Sequence, residues 1–280
     1  MKRTFTILLL LPLCLLCACT QKKVYTDPEG PAYSGAYCEV GPESADTIKV
    51  VSYNIKLGNE VDQAINEFTQ VPELCGADII LLQEMDPDGT ERIAQELGYN
   101  YIYFPAAIHA KHGKDYGNAV LTRWPITDSW KLLLPHRDPV RKNQRIAAVG
   151  TIEIGEFEVL TYSVHIEMVW LEFQKRIAQV DSVIRSVGDT YEHIIIGGDF
   201  NTESGHYVQV VDDLFEQSGF TRASKGIGPT AKADPLGLVS LRFDHIFTKG
   251  MTVVDKGRVT DAKASDHVPI WVELELVPPD

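Results

Sequence analysis

Ten runs rich in Val, Ile, Tyr and Phe recur between residues 48 and 276, and six of them carry an acid, an amide or an imidazole at or beside one end. That pattern constrains the fold more than any other feature of the chain. Apolar runs of this length, bounded by Gly, Pro, Asn or Asp, read as strands. They cover 48–55, 77–86, 100–104, 117–122, 145–154, 156–166, 193–200, 242–248, 251–259 and 268–276. Residues 60–75, 88–97, 171–187 and 207–218 read as helices. In the third helix, Leu171, Ile177, Val180 and Ile184 form an apolar stripe with Lys175, Arg176 and Asp181 facing outward. Strands that partly alternate with helices and partly follow one another predict an α/β (α+β) fold. The expected form is a four-layer sandwich, two packed mixed β-sheets flanked by helices. The 280 residues, 44% of them hydrophobic, suffice for one large core, and a single catalytic-sized domain is expected over 47–277.

The polar residues that close these runs are specific. Asn54 ends "VVSYNI", Gln83 and Glu84 end "IILLQE", and His165 ends "LTYSVH". Asp199 and Asn201 follow "IIIGG", Asp244 sits in "RFDHIF", and Asp266 and His267 precede "VPI". A buried strand that ends in a charge must pair or solvate it. When several do so, their ends are expected to converge on one cleft. Carboxylate and amide oxygens suit a hard divalent cation, Mg²⁺ with Mn²⁺ as the alternate. Imidazoles beside them can move a proton or stabilise a charged transition state. Neither a Ser-centred elbow nor a P-loop is present in the sequence. At the "IGGDFN" stretch, Gly197 and Gly198 are expected to turn the chain tightly, with Phe200 in the core.

The first residues, "MKRTFTILLLLPLCLLCAC", carry Lys2 and Arg3 before an apolar run too short to span a bilayer. "LCAC" resembles a bacterial lipobox. That likeness implies a signal peptide over 1–18 and lipidation of Cys19, against the alternatives of an ordinary cleaved signal or an uncleaved anchor helix. Residues 19–46, rich in Gly, Pro and Ser, read as a tether. Localisation is then an exported, lipid-anchored position in a bacterial cell envelope, with Thr20 after the cysteine leaning to the outer membrane. Cys38 and Cys75 remain, and the sequence does not place them within bridging distance. Net charge is −13, and loss of residues 1–18 would leave 39 acids against 24 bases. Such a balance argues against tracking along phosphodiester backbones.

The fragments "SYNIKLG", "LLQEMD", "YGNAVLTRWPI", "YSVHI", "IIGGDFNTES", "LRFDHIFTKG" and "SDHVPI" occur in an order and spacing that resembles the endonuclease/exonuclease/phosphatase superfamily. The likeness covers about 48–276. It is similar to the branch of pancreatic-type deoxyribonucleases, bacterial sphingomyelinases and inositol-polyphosphate 5-phosphatases. The resemblance implies Asn54 and Glu84 at the metal, with Glu84 the principal ligand and Asp266 beside the site. Asp199 and Asn201 match the acid and amide that bind the attacking water, the scissile phosphate or a second metal. His267 matches the general base or phosphate stabiliser, and Asp244 the acid that orients it. His165 matches a second histidine, absent from apurinic-site nucleases. Asn118 matches an amide near the phosphate. Arg145 matches a phosphate ligand, although the family's usual acid just ahead of it is missing.

The expected activity is therefore metal-assisted hydrolysis of a phosphodiester or phosphomonoester by a monomer held to a membrane through its lipid. A phosphorylated small molecule, a phospholipid head group or nucleic acid is the substrate. A nonspecific extracellular nuclease is the alternative among enzymes, and a non-catalytic binding lipoprotein the alternative from another class. "IEMVWLEF", with Met168, Val169 and Trp170, is expected to be core at a helix start. His109, His112 and His136 are expected in a solvated polar segment.

Overall fold

The computed structural model describes residues 24–38, 41–43, 45–109, 112–139, 142–231 and 241–277. The signal segment and Cys19 lie outside them. Two mixed sheets face each other. The first has seven strands in the order β1 (Tyr33–Gly35), β4 (Asn100–Ile108), β5 (Asp115–Thr122), β3 (Ile79–Met85), β2 (Thr47–Asn54), β13 (Ile270–Leu276), β12 (Met251–Arg258). The second has six, β10 (Thr221–Arg222), β11 (Asp244–Lys249), β9 (His193–Asp199), β8 (Phe157–His165), β7 (Ile146–Ile154), β6 (Ile126–Leu133). β2 and β3 pair in parallel, as do β8 and β9, and the other neighbours are antiparallel.

Side chains alternate across each strand, so one residue faces the other sheet and the next faces a helix. Ile48, Val50, Leu81, Ile146, Ile195, Ile246 and Ile270 fill the space between the sheets. Val51, Ile80 and Leu82 pack outward with Phe68 of α1 (Val61–Gln70) and Ile93 of α2 (Pro87–Leu97). Ile194, Ile196 and Phe247 pack outward with Val180 of α3 (Phe173–Ser186) and Phe215 of α4 (Gly205–Gln217). The expected four layers are present. Each helix has a local reason to start or stop. Asp86 caps α2 by accepting a hydrogen bond from the Gly89 amide at 2.7 Å, with Pro87 in the first turn and Gly98 closing the helix in the left-handed conformation. Pro72 ends α1 before the expected 75.

Several expectations change. Within the expected tether, residues 33–35 form β1 on the edge of the first sheet, and the Tyr25 hydroxyl donates to Asp115 at 2.7 Å. From residue 24 onward, therefore, the described part of that segment packs on the domain. β6 is an addition to the expected strands; it is the outer strand of its sheet, and its polar, exposed "TDS" lacks the usual apolar signature. Arg176 is buried, with its guanidinium on Glu203 at 2.6 and 2.8 Å and over the Tyr207 ring. Cys38 and Cys75 are both free thiols. In the run after His165, Val169 and Trp170 are 58% and 53% exposed and so lie on the surface rather than in the core, while Ile166 and Leu171 are buried.

Gly197 and Gly198 do not turn the chain. Both lie inside β9, between β8 and β11. A Cβ on Gly197 would meet Leu81 of the opposite sheet at 2.6 Å, and one on Gly198, at φ +147°, would meet the Val164 carbonyl at 2.0 Å. Gly197 lets the two sheets approach closely just below the strand end, and Gly198 leaves room for the backbone of the neighbouring strand β8. Phe200 is fully buried, as expected.

Candidate active site

The carboxyl ends of β2, β3, β8 and β9 meet along one edge of the sandwich. β11 runs antiparallel to β9, so its first residue, Asp244, reaches the same edge. Register places Asp244 opposite Asp199 on one side and His165 opposite Asp199 on the other. From the facing sheet, Asn54 Nδ2 donates to Asp199 Oδ2 at 3.0 Å. The two sheets are thus joined at the point where the polar ends gather. Beneath them, Gln83 Nε2 donates to Ser163 Oγ at 3.0 Å, a second link across the sheets.

The backbone is strained around this point. Lys56, Leu57, Glu84 and Asn201 all have positive φ, at 28°, 63°, 59° and 49°. Glu84 lies where the β3–β5 ladder shifts register between Leu82 and Met85. A bulge of this kind re-aims a side chain, and non-glycine residues with positive φ gather at functional sites. All four of these residues line a cleft of about 340 Å³ with Tyr116, Arg145, His165, Asp199 and His267.

Asp199 is the centre of the cluster. Its Oδ1 accepts the Asn201 amide at 2.9 Å, while Oδ2 lies 3.4 Å from His165 Nε2 and 3.8 Å from His267 Nε2. Burial raises its pKa; the opposing pull of His267 and the like charge of Asp244 leave it at about 7. His267 Nδ1 faces both oxygens of Asp244, at 2.9 and 3.1 Å. Burial works against its charge, but Asp244, Asp199 and Glu84 outweigh that and raise it to about 10. The backbone before the ring is fixed as well, because Ser265 Oγ accepts the His267 amide at 3.2 Å. His165 is held neutral, first by burial and then by the charges of Arg145 and His267.

Glu84 differs from its neighbours. Among the described residues its carboxylate has no hydrogen-bond donor, and the His165 imidazole lies 4.0 Å away. Ligating atoms of Glu84, His165 and Asp199 lie within 4.8 Å of one another, as do those of Asp199, Asp244 and His267. A half-buried carboxylate facing a cleft with no protein donor fits a hard divalent cation.

A family model for the Endonuclease/Exonuclease/phosphatase family matches residues 51–267. The chain belongs to the endonuclease/exonuclease/phosphatase family. Family members are divalent-metal-dependent hydrolases of phosphate esters. Among solved structures, an endonuclease/exonuclease/phosphatase of Beutenbergia cavernae has a TM-score of 0.70 at 19% identity, covering 83% of this chain and 72% of that one. A mannosyl-6-phosphatase of Bacteroides thetaiotaomicron has a TM-score of 0.62 at 22% identity, covering 81% and 99%. TDP2 of D. rerio, complexed with a single strand DNA product, has a TM-score of 0.62 at 16% identity, covering 82% and 100%. These likenesses show the fold. A UPF0294 protein of Vibrio vulnificus is 30% identical over 98 residues, 35% of this chain, and the chain spans about a third (33%) of the curated relatives it matches.

For a member of this family, the structure redraws three of the sequence-derived positions. Asn118 does not line the cleft; it is buried between the sheets and spends both amide hydrogens on the carbonyls of Ile146 and Ser163, at 3.0 and 2.9 Å. Asp266 stays on the rim, paired with Lys56 at 2.9 Å, and joins neither group of ligating atoms. Arg145 does line the cleft, but its guanidinium is held by Glu167, at 2.9 and 3.1 Å. Glu167, 22 residues further along the chain, is the acid that pairs with Arg145. Sequence reasoning passes over Glu167 and Tyr116. The first is masked by its apolar neighbours in "HIEMVW", the second by the glycine-led strand that follows it. His109, expected in a solvated loop, lines the cleft and stacks on His112 with ring centres 5.0 Å apart.

Proposed function

We propose that this chain is a Mg²⁺-dependent phosphoesterase of a bacterial cell envelope, cleaving a small phosphorylated substrate or a phospholipid head group by attack of water at phosphorus. The observation that carries the reading is the convergence of Asp199, the His267–Asp244 pair and the donor-free carboxylate of Glu84 on one cleft. Glu84 with Asn54 would hold the ion, and Asp199 lies beside them. When bound, such an ion offsets negative charge on the phosphate oxygens.

The chain's own residues supply the rest. Asp199 orients the attacking water and takes its proton, and Asn201 supports that geometry through the amide bond to Oδ1. His267, held by Asp244, presents a charged donor to the phosphate. The pairing with Asp244 supports the phosphate-stabilising role in this reading. His165, neutral, donates or accepts a hydrogen bond but carries no charge.

The acidic balance of the chain supports a small anionic substrate over a polynucleotide, because phosphate-backbone binding depends on surface Lys and Arg. The name of the mannosyl-6-phosphatase neighbour is in line with that choice, and the TDP2 neighbour keeps a nuclease as the alternative. Lipidation at Cys19 would give the anchor, and Cys19→Ala is expected to move the exported protein from the membrane to the soluble fraction. Soluble residues 20–280 should release product from at least one of a sugar phosphate, an inositol polyphosphate, sphingomyelin or plasmid DNA with Mg²⁺, and not with EDTA. Glu84→Gln should abolish release. Turnover indifferent to EDTA and to Glu84→Gln would reject the proposal.

A further inference from the structure

We infer that Tyr116 is a catalytic residue on the leaving-group side of the cleft, its hydroxyl donating to the oxygen that departs from phosphorus. The inference rests on the phosphoesterase reading above and names a group that reading does not use.

The backbone aims this side chain. Tyr116 stands near the start of β5, opposite a register shift between Pro105 and Ala107 of β4. The neighbouring Gly117 is needed there, because a Cβ would sit 2.0 Å from the Phe104 carbonyl. The bulge turns Tyr116 into the cleft, where it is nearly buried beside His165 and His109.

A chain of buried groups then fixes the phenol. Glu167 holds the Arg145 guanidinium through two hydrogen bonds, and Arg145 Nη1 donates to the Tyr116 oxygen at 2.7 Å. Glu167 is itself pinned: its amide donates to Gln179 Oε1 at 2.9 Å, and its Oε1 accepts the Met168 amide at 2.9 Å. Arginine only donates, so the Tyr116 oxygen acts as an acceptor and its own hydrogen needs another partner. The nearest ring nitrogen, His165 Nδ1, lies 3.4 Å away, and Arg145 Nη1 lies 3.1 Å from it and 2.9 Å from Nε2; whichever nitrogen of the neutral ring accepts Arg145, Nδ1 is then either occupied or itself an N–H donor. The phenol hydrogen is therefore available to an oxygen in the cleft, and the guanidinium behind it strengthens the donor.

We assign that oxygen to the leaving group. In-line displacement at phosphorus puts the entering water and the leaving oxygen on opposite sides. His267 and Asp244 lie on the β11 side of Asp199, and His165 lies on the β8 side, with Tyr116 next to it. The water attacks and loses its proton to Asp199. The phosphorus–oxygen bond breaks with its electron pair on the leaving oxygen. That oxygen is stabilised by the Tyr116 hydrogen bond and takes up a proton from solvent.

Such a donor matters when the leaving group is a poor one. The test compares an alkyl phosphate ester with the matching p-nitrophenyl ester, for the wild type, Tyr116→Phe and Glu167→Gln, with thermal melts confirming that each variant folds. Tyr116→Phe should lower kcat/KM on the alkyl ester by about tenfold or more and leave the p-nitrophenyl ester within about threefold. Glu167, a positioning residue, should show the same selectivity in weaker form. Equal losses on both esters, or no loss on either, would overturn the role given to Tyr116 while the wild-type rates upheld the phosphoesterase. A wild type inactive on both esters would overturn both.

Discussion

At the scale of single residues, the site is built from groups that give up ordinary conformations or ordinary partners. Glu84 and Asn201 occupy left-handed backbone, and Gly198 holds a φ of +147° within a strand. Replacing Gly198 with Ala is predicted to cost more than about 3 kcal/mol in urea unfolding, because the new Cβ overlaps the Val164 carbonyl. A loss under about 1 kcal/mol would show that the two strands can separate there. The residue identities that end each strand were legible in the sequence: Asn54, Glu84, His165, Asp199, Asn201 and His267 all come to one edge. What the letters did not disclose is which oxygen or nitrogen each side chain has left to offer. Asn118 looks like a site amide and is consumed between the sheets, while Glu167 looks like one acid among many and holds Arg145. Such partners are set by contacts across the fold, which no local pattern encodes.

Among elements, strands with apolar alternation and helices with a stripe were readable to within a few residues at most ends. The missed ones had no such signal. β6 is an exposed outer strand, β10 has two residues, and β1 comes from a segment with linker-like composition. The pairing of elements also explains why Asn118 belongs to the scaffold. Its amide ties β5, in the first sheet, to the strands β7 and β8 of the second. Asn118→Ala would leave two buried carbonyls short of a donor and should cost about 2–4 kcal/mol of stability, with KM unchanged. A raised KM at unchanged stability would return Asn118 to the substrate site.

For the whole molecule, the sandwich accounts for the chemistry by bringing the ends of two sheets together at Asp199. Asp199 and Asp244 face the His267 imidazolium, Glu84 lies 4.0 Å from the neutral His165, and a bound dication would offset the negative charge that remains. Among the described residues no helix is long and apolar enough to cross a membrane, so the proposed anchor rests on the N-terminal segment alone. The central claim is that His267 and a divalent ion act together on a phosphate ester. The most direct measurement is nitrophenolate release from bis-(p-nitrophenyl) phosphate by soluble residues 20–280, with Mg²⁺ or EDTA, for the wild type and His267→Ala. The account predicts release that needs Mg²⁺ and falls by at least about a hundredfold in His267→Ala. Release that survives either EDTA or the loss of His267 would contradict it.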